Sequence, residues 1–332
     1  MTTSTLRKQL DTPNELYIDR YPFAQYLDHL RDSFAELYTL LDQARFSEVE
    51  RHIQYTSENS WEFEDESTGG RGAAYNVAQK NISNRELGMT TLLNCLGVSQ
   101  GKEIAHLKIL DVLGGDGTFA RFCKTLPYVP PMVFTGDISK FMMDACFAQA
   151  LPCIRQSATK SLFHDGVLDG VLIAYGSHHL DRDARLAAVS EAHRTLRTGG
   201  RLVLHDFEIG GRCAQWFDRV LHPYSATGHA YPHFSRHEMF DLLTKAGFRD
   251  VRVFDMDDSF SLSAETPKEA KRKAIMHMYH MYGLVKLDAA GAVERAVERL
   301  IDETLGPIAV RKVEAGYVAQ IHRQALVAVG VK

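Results

Sequence analysis

Asp111, Gly114, Gly115, Asp116 and Gly117 fall within the stretch ILDVLGGDGTF, residues 109–119, and Asp137 follows 20 residues past Gly117. An apolar run that ends in a glycine loop and reopens as a helix brings backbone amides close to a nucleotide. Such a loop alone is a weak signal, and here its charge discriminates. A dinucleotide loop sets a pyrophosphate on the helix N-terminus and keeps acids away from it. Two carboxylates within roughly 4–6 Å of a phosphate would cost on the order of 1–4 kcal/mol each. The same carboxylates suit a cofactor that carries cationic groups. Asp137 is placed to accept two ribose hydroxyls, a device that nicotinamide enzymes share.

The elements that must position these residues alternate strand and helix between about 105 and 260, the pattern of a parallel sheet covered on both faces. LKILDVL (107–113), PMVFTGD (131–137), CIRQSA (153–158), LDGVLIAY (168–175), RLVLHDFE (201–208) and RDVRVFDMD (249–257) read as strands, and the apolar run 317–331 as a closing strand. The clearest helix is DARLAAVSEAHRTLRTGG, 183–200, with basic residues in its last turn and Gly199-Gly200 to end it. Three segments stand outside the alternation. Residues 1–104 read as a helical N-terminal cap; 209–234, rich in His, Tyr and Trp, and 267–305 read as lid insertions in the domain 105–332. The expected fold class is therefore α/β: a doubly wound, Rossmann-like, seven-stranded sheet with a helical cap.

From about 107 to 257 the chain resembles the class I S-adenosylmethionine (SAM)-dependent methyltransferases. ILDVLGGDG resembles the family's first motif and FTGDIS its ribose-binding acid. SLFHDGVLDGVLIAYGSHHL, EAHRTLRTGGRLVLHDF and EMFDLLTKAGFRDVRVF resemble the later motifs, in the family's order. SAM carries both a sulfonium and an ammonium, which accords with the acids of the loop. The resemblance implies a cofactor site built from Asp111, Gly114, Gly115, Gly117, Asp137, Ile138, Ser157, Ala158 and Tyr175. Two letters depart from the pattern. Leu113 stands where the first glycine is usual, and Gln156-Ser157-Ala158 stands where an acid normally holds adenine, which points to backbone groups or Ser157 instead.

Candidate catalytic residues sit at the carboxyl ends of the fourth and fifth strands, where ligands of doubly wound sheets bind. Tyr175 offers an aromatic face to a sulfonium, and His178, His179 or His205 offers a base. His205 and Asp206 are adjacent in a strand and point to opposite faces, so they do not form a dyad. His229, His233 and His237 are four apart, but Pro232 and the Ser235 cap break any helix through them, and no metal site is expected. The segment reads as a mobile lid over the acceptor. Helix KRKAIMHMYHMYG (271–283), RYPFAQY (20–26), SWEFED (60–65) and Tyr75-Asn76 are each either cap core or pocket wall.

The whole chain sets further bounds. Net charge is −4 from 38 basic and 42 acidic residues, well mixed, so neither a nucleic-acid footprint nor a polybasic membrane anchor is visible. No apolar run approaches a membrane span, and MTTSTLRKQLDTPNEL lacks a signal-peptide core, so a cytoplasmic protein is expected. Its five cysteines read as buried free thiols. The expected partner is a small molecule, with neither nucleic acid nor membrane, and a homodimer is left open. Methyl transfer to a small organic acceptor of natural-product type is the favoured reading. Two others stand beside it: a cyclase that uses the aminobutyryl chain of SAM itself, as azetidine-2-carboxylate synthases do, and a non-catalytic SAM-binding protein.

Overall fold

Apolar spacing of three and four residues places Phe23, Tyr26 and Leu30 on the buried face of the first helix, α1 (Phe23–Ser33). The computed structural model describes residues 16–49, 51, 53, 62–64, 70–98, 104–290 and 292–332. The expectations that rest on residues 1–15 and on Ser60, Trp61 and Asp65 lie outside that set. After α1 come α2 (Ala35–Thr39), α3 (Gly72–Gln79) and α4 (Glu86–Cys95). Tyr17 and Tyr26 anchor this region to the sheet by donating their hydroxyls to the carbonyls of Arg155 and Cys153.

The sheet begins with β1 (Lys108–Asp111), followed by α5 (Thr118–Lys124), β2 (Met132–Asp137), α6 (Lys140–Phe147), β3 (Cys153–Arg155), β4 (Leu168–Ala174), α7 (Arg182–Thr195) and β5 (Leu196–Asp206). The insertion carries α8 (Arg212–Trp216), and then α9 (Arg236–Lys245) leads to β6 (Arg249–Asp257). Next come β7 (Phe260–Ala264), α10 (Pro267–Tyr282), α11 (Val293–Thr304), β8 (Ala309–Val313), β9 (Gly316–Ile321) and β10 (Gln324–Val331). Seven strands pair in the order β3-β2-β1-β4-β5-β10-β6. β1 to β5 run parallel, and β10 lies antiparallel between β5 and β6. The chain leaves β1 in one direction and returns to β4 on its other side, so the switch in strand order opens beyond Asp111 and Ala174.

Three expectations change. The helix foreseen over 183–200 stops at Thr195, whose hydroxyl turns back onto the carbonyls of Glu191 and Ala192. Leu196 is already extended and pairs with Leu168, while Gly199, at φ +80°, turns the chain within the strand. The run 317–331 is two strands, because Arg323 is buried in an ion pair with Asp258 and interrupts it. β7, β9 and β8 form a separate antiparallel sheet, so the elements around the main sheet are not all helical. The 209–234 segment does not lie free. α8 runs into a π turn over Phe217–Leu221, and Trp216, Phe217, Val220 and Leu221 are buried.

Candidate active site

A cavity of 490 Å³ opens at the switch point, a volume typical of small-ligand sites. One wall consists of Leu113, Gly115, Asp137, Ile138 and Met142, with Gln156, Ser157 and Ala158 beside them. Glu62, Phe63, Tyr75, His179 and Tyr231, contributed by segments far apart in sequence, also line the cavity. Tyr175 and Gly176 close the floor between Leu113 and Leu180.

Asp137 is fixed in that wall by two backbone amides: Gly115 donates to Oδ2 and Ser139 to Oδ1, both at 2.9 Å. Burial lifts its pKa to about 6, against the pull of those amides. Asp111, Gly114 and Gly117 stand behind the wall. A Cβ on Gly114 would lie 2.6 Å from Thr135 and 2.9 Å from Asp111 Oδ2, so the loop can fold over the acid only with glycine there. Gly117, at φ +81°, starts α5 against Leu151 and Cys146.

The two loop acids differ in their surroundings. Asp116 pairs with Arg121 at 3.0 Å and accepts from Thr118 Oγ1 at 2.7 Å, so its charge is matched within α5. Asp111 is fully enclosed, and burial, with Asp137 and Asp116 adding repulsion, lifts it to about 8. Its carboxyl is thus largely protonated at neutral pH in the free protein. On the adenine side, Ser157 spends its hydroxyl on its own turn with Thr159. Gln156 accepts from Leu162 N at 2.9 Å, and its amide nitrogen is buried without a partner.

Tyr175 ends β4 in the left-handed region, at φ +63°, a strain held by its surroundings. Its hydroxyl donates to Asp258 at 2.7 Å, the Arg85 guanidinium sits 3.9 Å from its ring centre, and the His205 ring lies 4.2 Å away. Arg85 thus sets one cation against this ring, which also lines the cavity. His205 is completely buried behind Tyr175, and burial lowers its pKa to about 4. Neither it nor His178 is among the residues that line the cavity.

His178 pairs instead with Asp206, Nδ1 lying 2.9 Å from Oδ1. The pairing excluded for His205 is thus made across two strand ends. His179, next in sequence, does line the cavity. Glu62 and Tyr231 also surround it, and no periodicity announced them. Glu62 takes a two-nitrogen ion pair from Arg71 at 3.0 and 2.9 Å; although burial opposes it, this charge holds the Glu62 carboxyl well below the usual range. Helix α10 is core: His277 and Met281 are buried, and none of Met276, His277, Tyr279 and His280 lines the cavity.

The site has the parts that SAM requires. A carboxylate at the end of β2 keeps lone pairs free beyond the two amides that fix it. Gln156 lines the cavity beside Ser157 and Ala158, and its amide nitrogen has no hydrogen-bond partner among the described residues. The fold is a seven-stranded, Rossmann-like α/β sheet, and S-adenosylmethionine is the cofactor that suits the site beyond its switch point. Residues 110–204 match the model of the methyltransferase domain family. Among solved structures, the YcgJ protein of Bacillus subtilis is 19% identical, covering 74% of this chain and 97% of that one at a TM-score of 0.47. A SAM-dependent methyltransferase of Archaeoglobus fulgidus is 17% identical, with coverages of 75% and 94% and a TM-score of 0.44. Phosphoethanolamine N-methyltransferase 2 of Haemonchus contortus, solved with S-adenosylhomocysteine, is 13% identical, covering 74% of this chain and 52% of that one at 0.46. No curated protein matches the chain in sequence.

Proposed function

We propose that the protein transfers a methyl group from SAM to a small organic acceptor of natural-product type, and that both molecules share the cavity beyond β1, β2 and β4. The observation that carries this reading is the lining of that cavity. Asp137, Ile138 and Gln156–Ala158 line the same cavity as the aromatic residues Phe63, Tyr75 and Tyr231. In this reading Asp137 accepts the ribose hydroxyls, Gln156, Ser157 and Ala158 border the adenine, and Leu113, Gly115 and Ile138 pack the rest of the cofactor. Asp111, Gly114 and Gly117 shape the loop from behind, and Tyr175, His178 and His205 position neighbours. Bound SAM supplies a methyl group already activated by its sulfonium. The protein's share is to align the acceptor and exclude water, effects that can supply several kcal/mol. Five free thiols suit a reducing, cytoplasmic setting.

Calorimetry with SAM, followed by incubation with SAM and a panel of small phenols, amines and thiols, tests the reading. Binding of SAM and formation of S-adenosylhomocysteine with one acceptor are expected. Preference for a dinucleotide, or methylthioadenosine formed from SAM alone, would overturn it.

A further inference from the structure

We propose that His178, His179 and His229 bind one divalent transition-metal ion at the edge of the cavity, oriented by the carboxylates of Asp206 and Glu62. Each of the three imidazoles brings a ring nitrogen within 4.8 Å of the other two. Ring centres are 4.4 Å apart for His178–His179, 5.0 Å for His178–His229 and 5.1 Å for His179–His229. Metal–imidazole bonds of about 2.0–2.1 Å put tetrahedral ligands roughly 3.3 Å apart, so a contraction of an ångström or so would close the site.

The nitrogens left over point to a missing cation. His178 Nδ1 faces Asp206 at 2.9 and 3.0 Å, and His229 Nδ1 faces Glu62 at 3.4 Å. A carboxylate at Nδ1 selects the tautomer with its proton there, which leaves Nε2 as a lone pair. Among the described residues, Nε2 of both His178 and His229 is buried without a partner. His179 Nδ1 lies 3.4 Å from the other Glu62 oxygen, itself a buried atom without a hydrogen bond.

The orienting carboxylates are themselves locked. Asp206 accepts from Ser177 Oγ at 2.6 Å and from the amides of His178 and Phe207 at 2.8 Å, while Arg71 clamps Glu62. A carboxylate behind a histidine is the usual outer layer of a metal site. Because Asp206 is already saturated, the second convergence, of His178, Asp206 and His233, is the weaker one. Three imidazoles without a thiolate suit zinc, cobalt, nickel or ferrous iron rather than magnesium or calcium. His179, Glu62 and Tyr231 line the cavity, so the open coordination position faces the acceptor side. That position would take an oxygen, nitrogen or sulfur of the acceptor. This last role rests on the methyl-transfer reading; the ion site does not. The proposed site differs from the histidine stripe weighed in the sequence, since it draws His229 alone from that segment and takes its partners from the turn after β4.

The test uses the full chain without an affinity tag, stripped by chelator, then given Zn²⁺ or Co²⁺ alone and desalted. About one equivalent per chain by elemental mass spectrometry, with visible ligand-field bands for Co²⁺, is expected. His229→Gln should reduce retained metal to about a tenth or less, and Asp206→Asn should weaken affinity by roughly 10–100-fold. His237→Ala, on the exposed side of α9, should change nothing. Circular dichroism and melting show which variants are folded; the wild-type stoichiometry decides even if none is. No retained metal in wild type, or full retention in folded His229→Gln, overturns the site. SAM calorimetry on the same preparation keeps the readings apart. Metal without SAM binding supports the site and overturns methyl transfer, and SAM binding without metal overturns the site alone.

Discussion

Asp137 shows how much one buried carboxylate can report. Its pKa of about 6 in the free protein lies above the ordinary 3.8 because burial outweighs the backbone hydrogen bonds from Ser139, Gly115 and Ile138. The ionised form is the one that accepts two hydroxyls, so SAM affinity should be full above about pH 6 and fall by up to tenfold per unit below it. Asp111 is lifted too, to about 8, by burial and by the charges of Asp137 and Asp116. Asp137→Asn should weaken SAM binding by roughly 10–100-fold, the value of hydrogen bonds to a charged group, and flatten the pH profile. Calorimetry across that range checks both; an unchanged profile in the variant would assign the titration elsewhere. Residue type made Asp137 and the loop legible in the sequence. It could not show that Asp116 answers Arg121 or that Asp111 keeps its proton, since burial and ion pairing belong to the fold. Nor could spacing bring Glu62 and Tyr231 to one cavity from opposite ends of a long stretch of chain.

The elements of the sheet were legible because an apolar run followed by a turn and an amphipathic stretch has few other solutions. What was not legible came from long-range pairing: the end of α7 at Thr195, set by Leu196 meeting Leu168, and the small sheet of β7, β9 and β8. The π turn over Phe217–Leu221 is of the same kind, and it brings Phe217 within 4.8 Å of His229 and 5.4 Å of His178, ring centre to ring centre. Within the loop that joins β1 to α5, the two left-handed glycines should respond differently to a methyl group. A Cβ at Gly117 would sit 2.6 Å from Leu151 and 2.9 Å from Cys146, so Gly117→Ala carries both backbone strain and overpacking, about 2–4 kcal/mol. At Gly115 the nearest neighbour is Met142 Sδ at 3.9 Å, so Gly115→Ala should cost only about 1 kcal/mol of stability. Because Gly115 lines the cavity, its variant should lose SAM affinity while remaining folded. Urea denaturation and calorimetry of the two variants check the order; equal destabilisation would mean that the loop yields at both positions.

At the scale of the molecule, the elements around the sheet are tied to it by one enclosed charge network. Asp258, between β6 and β7, pairs with Arg323 at 2.9 Å and accepts the Tyr175 hydroxyl at 2.7 Å, and Arg85, just before α4, lies over the Tyr175 ring. α4 comes this close only because position 88 is glycine: a Cβ there would lie 2.3 Å from Asp258 Oδ1. Arg85, Asp258 and Arg323 are all buried, so this carboxylate offsets two enclosed guanidiniums. Nothing in the sequence links positions 85, 175, 258 and 323, which meet only after four separate connections have closed. The network predicts an asymmetry between two variants. Tyr175→Phe removes one hydrogen bond and should cost about 1–2 kcal/mol. Asp258→Asn keeps the shape but leaves two buried cations unanswered, a loss of roughly 3–5 kcal/mol, the size seen when one partner of a buried pair is removed. Since Tyr175 forms the cavity floor, both variants should also bind SAM more weakly, Asp258→Asn the more so. Denaturation midpoints read with and without SAM check this. If Asp258→Asn proved as mild as Tyr175→Phe, water would have to reach the guanidiniums, and the network would not be what holds the floor of the cavity.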